Sequence, residues 1–277
     1  SLIVDRYADH LVIQTLSQGS ERLLPVFCDI LEETLAPQGI LERNDPRVRE
    51  LEGLERCVGV VRGQVPERLE VHQHGIGFEV DPWAGQKTGL FLDQRENHQA
   101  AGHYARGRAL DCFSYTGGFS LAMAIRCDEV MAVDASRPAL ETLARQATQL
   151  GVRVVTNEGN VFDLLRALER NGERFDTIVL DPPAFAKNRR ALSKAVAGYK
   201  EINLRALKLL QPGGVLVTCS CSYHLDEAGF AQMLYEASLD AHAPVVVVEK
   251  RMQARDHPVV LGIPETYYLK CFVVRRM

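Results

Sequence analysis

The amino-acid sequence predicts an α/β fold, a seven-stranded and mostly parallel sheet preceded by a small α+β domain. Three observations predict it. From about residue 106 onward, short apolar stretches alternate regularly with amphipathic ones, the rhythm of strand–helix–strand units. Stretches such as TIVL at 177–180 are apolar without alternation, which suits strands covered by helices on both faces. Residues 1–85 follow a different rhythm, in which short alternating runs surround one helical period.

Taken in order, LIVDRYADHLVIQTL at 2–16 predicts two short strands joined by a polar turn at Ala8, Asp9 and His10. Leu23, Leu24, Phe27, Ile30, Leu31 and Leu35 then recur at helical spacing after Glu21, so a helix is expected over 21–35, ended by Pro37 and Gly39. The charged ERNDPRVRELEGLER reads as loop and short helix, and LEVHQHGIGFEVDP as further strands or a hairpin. A boundary falls between Pro82 and Gly89, which divides the chain into 1–85 and 86–277. Beyond it, strands are expected at 108–112, 129–133, 153–156, 176–180, 214–219, 245–250 and 267–274, with helices near 118–126, 136–149, 161–170, 190–210 and 226–238. No helical pattern separates the last two strands, which predicts a hairpin and one strand antiparallel to the rest.

Composition narrows the function. A chain of 277 residues, 46% of them hydrophobic, can bury a sizeable core. Its 32 basic and 36 acidic side chains leave a formal charge of −4, so nucleic-acid contact requires a local patch rather than a global field. Seven cysteines without a CxxC pair, and no compact histidine group, argue for a reducing compartment and against a disulfide framework or a metal site. The longest aliphatic run, VVVV at 245–248, is too short to span a bilayer. A cytoplasmic protein with no membrane partner is expected. Apolar residues of the N-terminal helix serve either a core or a partner, which leaves a homodimer open.

In an open α/β sheet ligands collect at the carboxyl ends of the strands, and four polar groups fall there. In LDCFSYTGGFS, Asp111 ends a strand and Gly117–Gly118 allow either a ligand-hugging turn or a merely tight one. Asp134 ends VMAVD, 17 residues beyond Gly117, a spacing that suits either a ribose diol or a helix cap. Asn160, in EGNVFD, suits an adenine contact or a cap equally. LDPPAF at 180–185 places Asp181, Pro182, Pro183 and Phe185 after a buried strand; two prolines make a rigid corner, and Phe185 offers an apolar face to a planar base. Finally, TCSCSYH at 218–224 sets Cys219 and Cys221 at the end of the fifth strand. Such cysteines either fill space or, where local charge lowers their pKa, attack a bound base.

Together these elements resemble the class I methyltransferase (Rossmann-like) fold, which binds S-adenosylmethionine. More narrowly, FLDQREN, CFSYTGGFS, LDPPAFAK, YKEINLRALKLLQPGGVLVTCSCS and the late PETYYLK resemble the bacterial 23S ribosomal RNA cytosine-5 methyltransferase family over nearly the whole chain. The resemblance implies S-adenosyl-L-methionine as cofactor and ribosomal RNA as partner. It implies that Asp93, Gln94 and Arg95 lie around the cofactor's methionine moiety. Phe113, Ser114, Tyr115, Thr116, Gly117 and Gly118 would form the cofactor loop, and Asp134 would hold the ribose. At Asn160 the family more usually has Asp. Cys221 matches the family's SCS cysteine, whereas Cys219 fits the TCS motif of other RNA cytosine-5 methyltransferases; Cys221 is preferred. Residues 1–85 resemble the family's linking domain, with possible RNA contact. Family members carry an N-terminal PUA module, and a chain opening SLIVD without methionine fits a trimmed one.

The implied reaction is addition of a cysteine to carbon 6 of cytosine, methyl transfer to carbon 5 and release, with Asp181 on the pyrimidine edge. His224 is a candidate for the proton-removing base, or else a loop residue. Lys187, Arg189, Arg190, Lys194, Lys200, Arg205 and Lys208 face only Glu201 within 187–208, which reads as an RNA-binding rim or a solvated helix face. Two other functions fit the same residues. One is transfer to an exocyclic amine on the DPPAF platform; the other is a noncatalytic RNA-binding protein.

Overall fold

The computed structural model describes residues 2–185 and 192–277. The chain divides into two compact units, Ser1–Phe91 and Leu92–Met277.

In the first unit β1 (Leu2–Tyr7) and β2 (His10–Thr15) pair antiparallel, followed by α1 (Gln18–Arg22) and α2 (Leu24–Leu35). The sequence predicts one helix here. Pro25 explains the break: without an N–H it cannot bond the carbonyl four residues back, and its ring crowds that carbonyl, so the chain resets at Leu23. β3 (Gly39–Asn44) then pairs parallel with β2, α3 (Val48–Leu51) follows, and β4 (Cys57–Gly63) runs antiparallel to β3. β5 (Leu69–Gln73) and β6 (Ile76–Val80) form the expected hairpin. Leu11, Ile13, Cys28 and Ile40 make the core. Beside it, buried Arg49 donates to Glu21 Oε2 at 2.8 Å, to Thr15 Oγ1 at 3.1 Å and to the Glu55 carbonyl at 2.9 Å.

The unit ends later than its sequence suggests. Arg43, also buried, donates to the carbonyls of Pro82 at 2.6 Å, Gly85 at 3.2 Å and Lys87 at 3.1 Å. Tyr7 reaches Thr88 Oγ1 at 2.8 Å and accepts from the Leu90 N–H at 3.2 Å. The Pro/Gly-rich turn that reads as a boundary is thereby tied to the first unit.

In the second unit a short turn, Leu92–Gln94, leads into α4 (Arg95–Tyr104), to which the sequence reading assigns no element. The alternation that follows is β7 (Gly107–Cys112), α5 (Gly118–Ala124), β8 (Cys127–Asp134), α6 (Arg137–Leu150), β9 (Val154–Glu158), α7 (Val161–Arg170), β10 (Phe175–Leu180), α8 (Leu192–Leu209), β11 (Leu210–Ser220) and α9 (Glu227–Asp240). β12 (Val245–Arg251) and β13 (Lys270–Arg276) close it. Among the described residues the seven strands run in the order β12-β13-β11-β10-β7-β8-β9. β13 is inserted between β11 and β12, antiparallel to both, and the others are parallel.

Alternation along the strands splits the core into two layers. Ala109, Val179, Val217 and Cys219 face α4 and α5, packing with Ala101, Phe119 and Met123. Leu110, Ile178, Leu180 and Leu216 face α7, α8 and α9, packing with Leu165, Tyr199, Ile202 and Phe230. The chain order reverses between β7 and β10, and in sheets of this kind the crevice above such a reversal receives ligands.

Candidate active site at the strand reversal

Asp111, on β7, is completely buried. Its Oδ2 accepts from Ser120 Oγ at 2.5 Å, while Oδ1 has no hydrogen-bond partner among the described residues. Burial pushes the carboxyl up to about 7; the Ser120 bond opposes this, and the nearby Asp181 and Asp134 charges add to it. After Cys112 the chain turns through left-handed residues at Phe113 (φ 67°), Tyr115 (φ 47°) and Gly117 (φ 93°). Such angles are costly for side-chain-bearing residues. The loop is held by N–H bonds from Phe113 and Ser114 to the Val133 carbonyl, at 2.9 and 3.0 Å, and by Gln146 Nε2 on the Thr116 carbonyl at 2.8 Å. Of the two sequence readings of the glycine pair, a ligand-hugging turn or a tight one, the contacts among the described residues bear on the tight turn. A Cβ on Gly117 would lie 2.2 Å from Leu143 Cδ1, and one on Gly118 2.3 Å from His98 Cε1, so both glycines make room for protein side chains.

Asp134, ending β8, accepts from the Tyr115 N–H at 2.9 Å and the Ser136 N–H at 2.8 Å. It braces the same loop. Asn160 accepts from the Phe162 N–H at 2.9 Å and caps α7, so of its two sequence readings the cap is present. From the start of the unit, Gln94 Nε2 donates to Asp181 Oδ1 at 2.8 Å. Gln94 Oε1 accepts from Asn97 Nδ2 at 2.7 Å, and Arg251 Nε in turn donates to Asn97 Oδ1 at 2.9 Å. Asp93 accepts from the Tyr268 hydroxyl at 2.8 Å, and Arg95 pairs with Asp256 at 2.8 Å. Asp93 and Gln94 are buried and Arg95 half-buried.

Asp181 directly follows β10, with Pro182 buried and Pro183 exposed. The two cysteines separate here. Cys219 is fully buried opposite Cys271, in the layer with Val217 and Val273, and burial raises its thiol well above the ordinary range. A regular strand would point both side chains to one face, but β11 ends at Ser220 and Cys221 lies in the following loop. Its Sγ donates to the Pro182 carbonyl at 3.9 Å, and the residue is half-buried. Phe185, read from the sequence as a platform for a base, packs into an aromatic group, with ring centroids 4.6 Å from Tyr199, 6.0 Å from Phe162 and 6.5 Å from Phe113.

The basic run needs correcting. Lys187, Arg189 and Arg190 lie outside the described residues. Lys200 pairs with Asp240 at 2.9 Å and Glu236 at 3.3 Å, Arg205 with Glu169 and with Glu201 at 2.9 Å, and Lys208 with Glu169 at 2.9 Å. Apart from Glu201 these partners are distant in sequence, so counting acids within 187–208 could not find them. Sequence reasoning also missed Tyr199, whose hydroxyl meets Ser222 Oγ at 2.9 Å, and Tyr268 and Lys270. A signal existed for Lys270: it shares strand parity with Phe272 and Val274, which places it inward.

A doubly covered sheet of this order, with carboxylates gathered above its strand reversal, defines a class I methyltransferase, and the S-adenosylmethionine-dependent methyltransferase family model matches residues 53–265. The chain belongs to the family of ribosomal RNA large subunit methyltransferase I. It is 42% identical to that protein of Erwinia tasmaniensis and 44% identical to that of Aeromonas salmonicida, each time over 99% of this chain and 71% of the relative. Among solved structures, SMU.776 complexed with SAH superposes with a TM-score of 0.85 at 20% identity, over 99% of this chain and 71% of that one. The M. jannaschii tRNA m1G37 methyltransferase gives 0.66 at 15%, over 99% and 74%. At these identities the likeness is one of fold.

The cofactor is S-adenosylmethionine, and the residues fit it. Asp111 Oδ1 and Ser114 Oγ are buried without hydrogen-bond partners among the described residues. Burying such atoms is costly unless something bonds them, and a ligand that carries both an ammonium and a carboxylate can satisfy an acceptor and a hydroxyl side by side. No helix among the described residues is long and apolar enough to cross a membrane.

Proposed function

We propose that this chain transfers a methyl group to carbon 5 of a cytosine in ribosomal RNA, with Cys221 as a covalent nucleophile. The observation that carries the reading is the half-buried Cys221 sulfur 3.9 Å from the Pro182 carbonyl, at the corner opened by Asp181. The ribosomal RNA substrate is supported by the name shared by the relatives. Cysteine attack is supported by the chemistry of the pyrimidine, whose carbon 5 is a weak nucleophile. As the Cys221 thiolate forms a bond to carbon 6, electrons move to carbon 5 and prepare it for methylation. S-adenosylmethionine supplies an electrophilic methyl group when bound. After transfer, the carbon 5 proton passes to a base, the carbon 6–sulfur bond breaks, and the ring double bond and the thiolate are restored.

Asp181 bonds the pyrimidine edge at N3 or N4, and Gln94 holds that carboxylate in orientation. Pro182 and Pro183 stiffen the corner against which a base extruded from its stack must rest. Phe185 supports the corner through its aromatic packing, and Lys187, Arg189 and Arg190 meet phosphate. Asp93, Arg95, Asp111, the loop from Phe113 to Gly118 and Asp134 hold the cofactor, and Ser1–Phe91 acts as a linking unit with RNA contact. The enzyme works in the cytoplasm, where ribosomal RNA is matured.

RNA containing 5-fluorocytidine tests the reading, because fluorine cannot leave as a proton and the adduct is trapped. With labelled cofactor, a denaturation-resistant adduct is expected from the native protein and from Cys219→Ala, and none from Cys221→Ala. The reverse pattern moves the nucleophile to Cys219. Methyl transfer that survives in Cys221→Ala replaces the reading with transfer to an exocyclic amine.

A further inference from the structure

Lys270 opens β13 opposite Ser220 and is 1% exposed. Among the described residues it is the one buried cation of its unit. Its Nζ donates to the Ser222 carbonyl at 2.8 Å and the Tyr268 carbonyl at 2.9 Å, and no described carboxylate forms an ion pair with it. Burying an ammonium against carbonyls alone is expensive, and buried charges are ordinarily paired. We infer that Lys270 is a positioning residue for Cys221, holding the thiol-bearing loop through the Ser222 carbonyl and stabilising the thiolate with its buried ammonium.

The surroundings support this assignment, which rests on Cys221 being the nucleophile. Burial lowers Lys270 to about 8, and the charges that oppose the lowering are Cys221 first and then Asp226. Most of the lysine is therefore protonated at neutral pH. Asp226 is exposed and already caps α9 by accepting from the Gly229 N–H at 2.7 Å. Tyr199 and Tyr268 also feel the Cys221 charge, and both hydroxyls are raised by burial, so near neutral pH they bring hydrogen bonds and no charge. Asp93, behind Tyr268, and Asp181, next to the Pro182 that Cys221 contacts, bring negative charge, which works against a thiolate. The Lys270 ammonium offsets them. Its benefit is largest whenever Cys221 is free of the base, at the start and end of each turnover.

The pH profile of iodoacetamide alkylation, read at the Cys221 peptide by mass spectrometry, tests the inference without RNA or methyl transfer. Exposed Cys57 serves as a reference in the same digest. Lys270→Arg keeps the charge, Lys270→Gln keeps N–H donors without charge, and Lys270→Met removes both. In the native protein the Cys221 midpoint is expected below the ordinary thiol value of about 8.5. Lys270→Gln and Lys270→Met should each raise it by about one unit or more, Lys270→Arg should leave it in place, and Cys57 should not move. A Lys270→Gln profile that superimposes on the native one overturns the inference in favour of a purely structural staple. Should the uncharged variants fail to fold, a native midpoint at or above 8.5 overturns it. Failure of the covalent mechanism itself would appear separately, as absence of the 5-fluorocytidine adduct with the alkylation profile unchanged.

Discussion

Asp111 illustrates at the residue scale how a buried carboxyl strains the fold that carries it. Its folded value of about 7 lies above the ordinary carboxyl value of about 4. Between those limits the folded chain keeps a proton that the unfolded chain has released, so this group's contribution to stability is full near pH 4 and is lost as pH rises toward 7. Asp111→Asn removes the titration while keeping an acceptor for Ser120. In the cofactor-free protein the variant is expected to match the native chain near pH 4 and exceed it at pH 8 by about 4 kcal/mol. Thermal unfolding of the pair across that range measures the difference, in which all other titrations cancel, and a difference independent of pH would refute it. Asp111, Asp134, Asp181 and Cys221 could be singled out as candidates in the sequence because each follows or ends an apolar run. Lys270 and Tyr268 were harder to see, since their importance lies in carbonyls and hydroxyls that the chain delivers from far away.

Among the elements, α7 offers the sharpest test, because Asn160 has a job that needs no ligand. Loss of its cap through Asn160→Ala should cost about 1 kcal/mol in urea unfolding, and Asn160→Asp should restore most of it. Calorimetric affinity for S-adenosylmethionine is expected to change less than threefold in both; a larger loss confined to the alanine variant would show that the amide also contacts the adenine. Strand–helix alternation made most elements of the second unit readable, since an apolar run covered on both faces leaves few other interpretations. The failures have local causes. Pro25 divides a helix whose apolar spacing continues across it, and α4 hides in RENHQAAGHY because its buried face is made of small and polar residues, Asn97, Ala100, Ala101 and Gly102.

For the molecule as a whole, two units with separate cores predict two cooperative events on heating. The chain's single tryptophan, Trp83, belongs to the first unit and donates to the Pro66 carbonyl at 3.1 Å, so its fluorescence reports that unit. Cofactor at a hundred times its Kd should stabilise the second unit by about 2.7 kcal/mol. Far-UV circular dichroism should show the second unit's transition moving while the Trp83 midpoint stays fixed; joint movement would mean the two units unfold as one. Their division was visible as a change of rhythm, although its position shifted to Phe91 because buried Arg43 claims three carbonyls of the connecting turn.

The placement of β13 between β11 and β12 also bears on synthesis. A ribosome releases β11 and its thiol first, then β12, which pairs only with a strand not yet made. Until residues 270–276 emerge, β12 has no place in the sheet and the cysteine loop lacks the lysine that braces it. The order of manufacture thus leaves the Cys221 loop unbraced in an incomplete polypeptide.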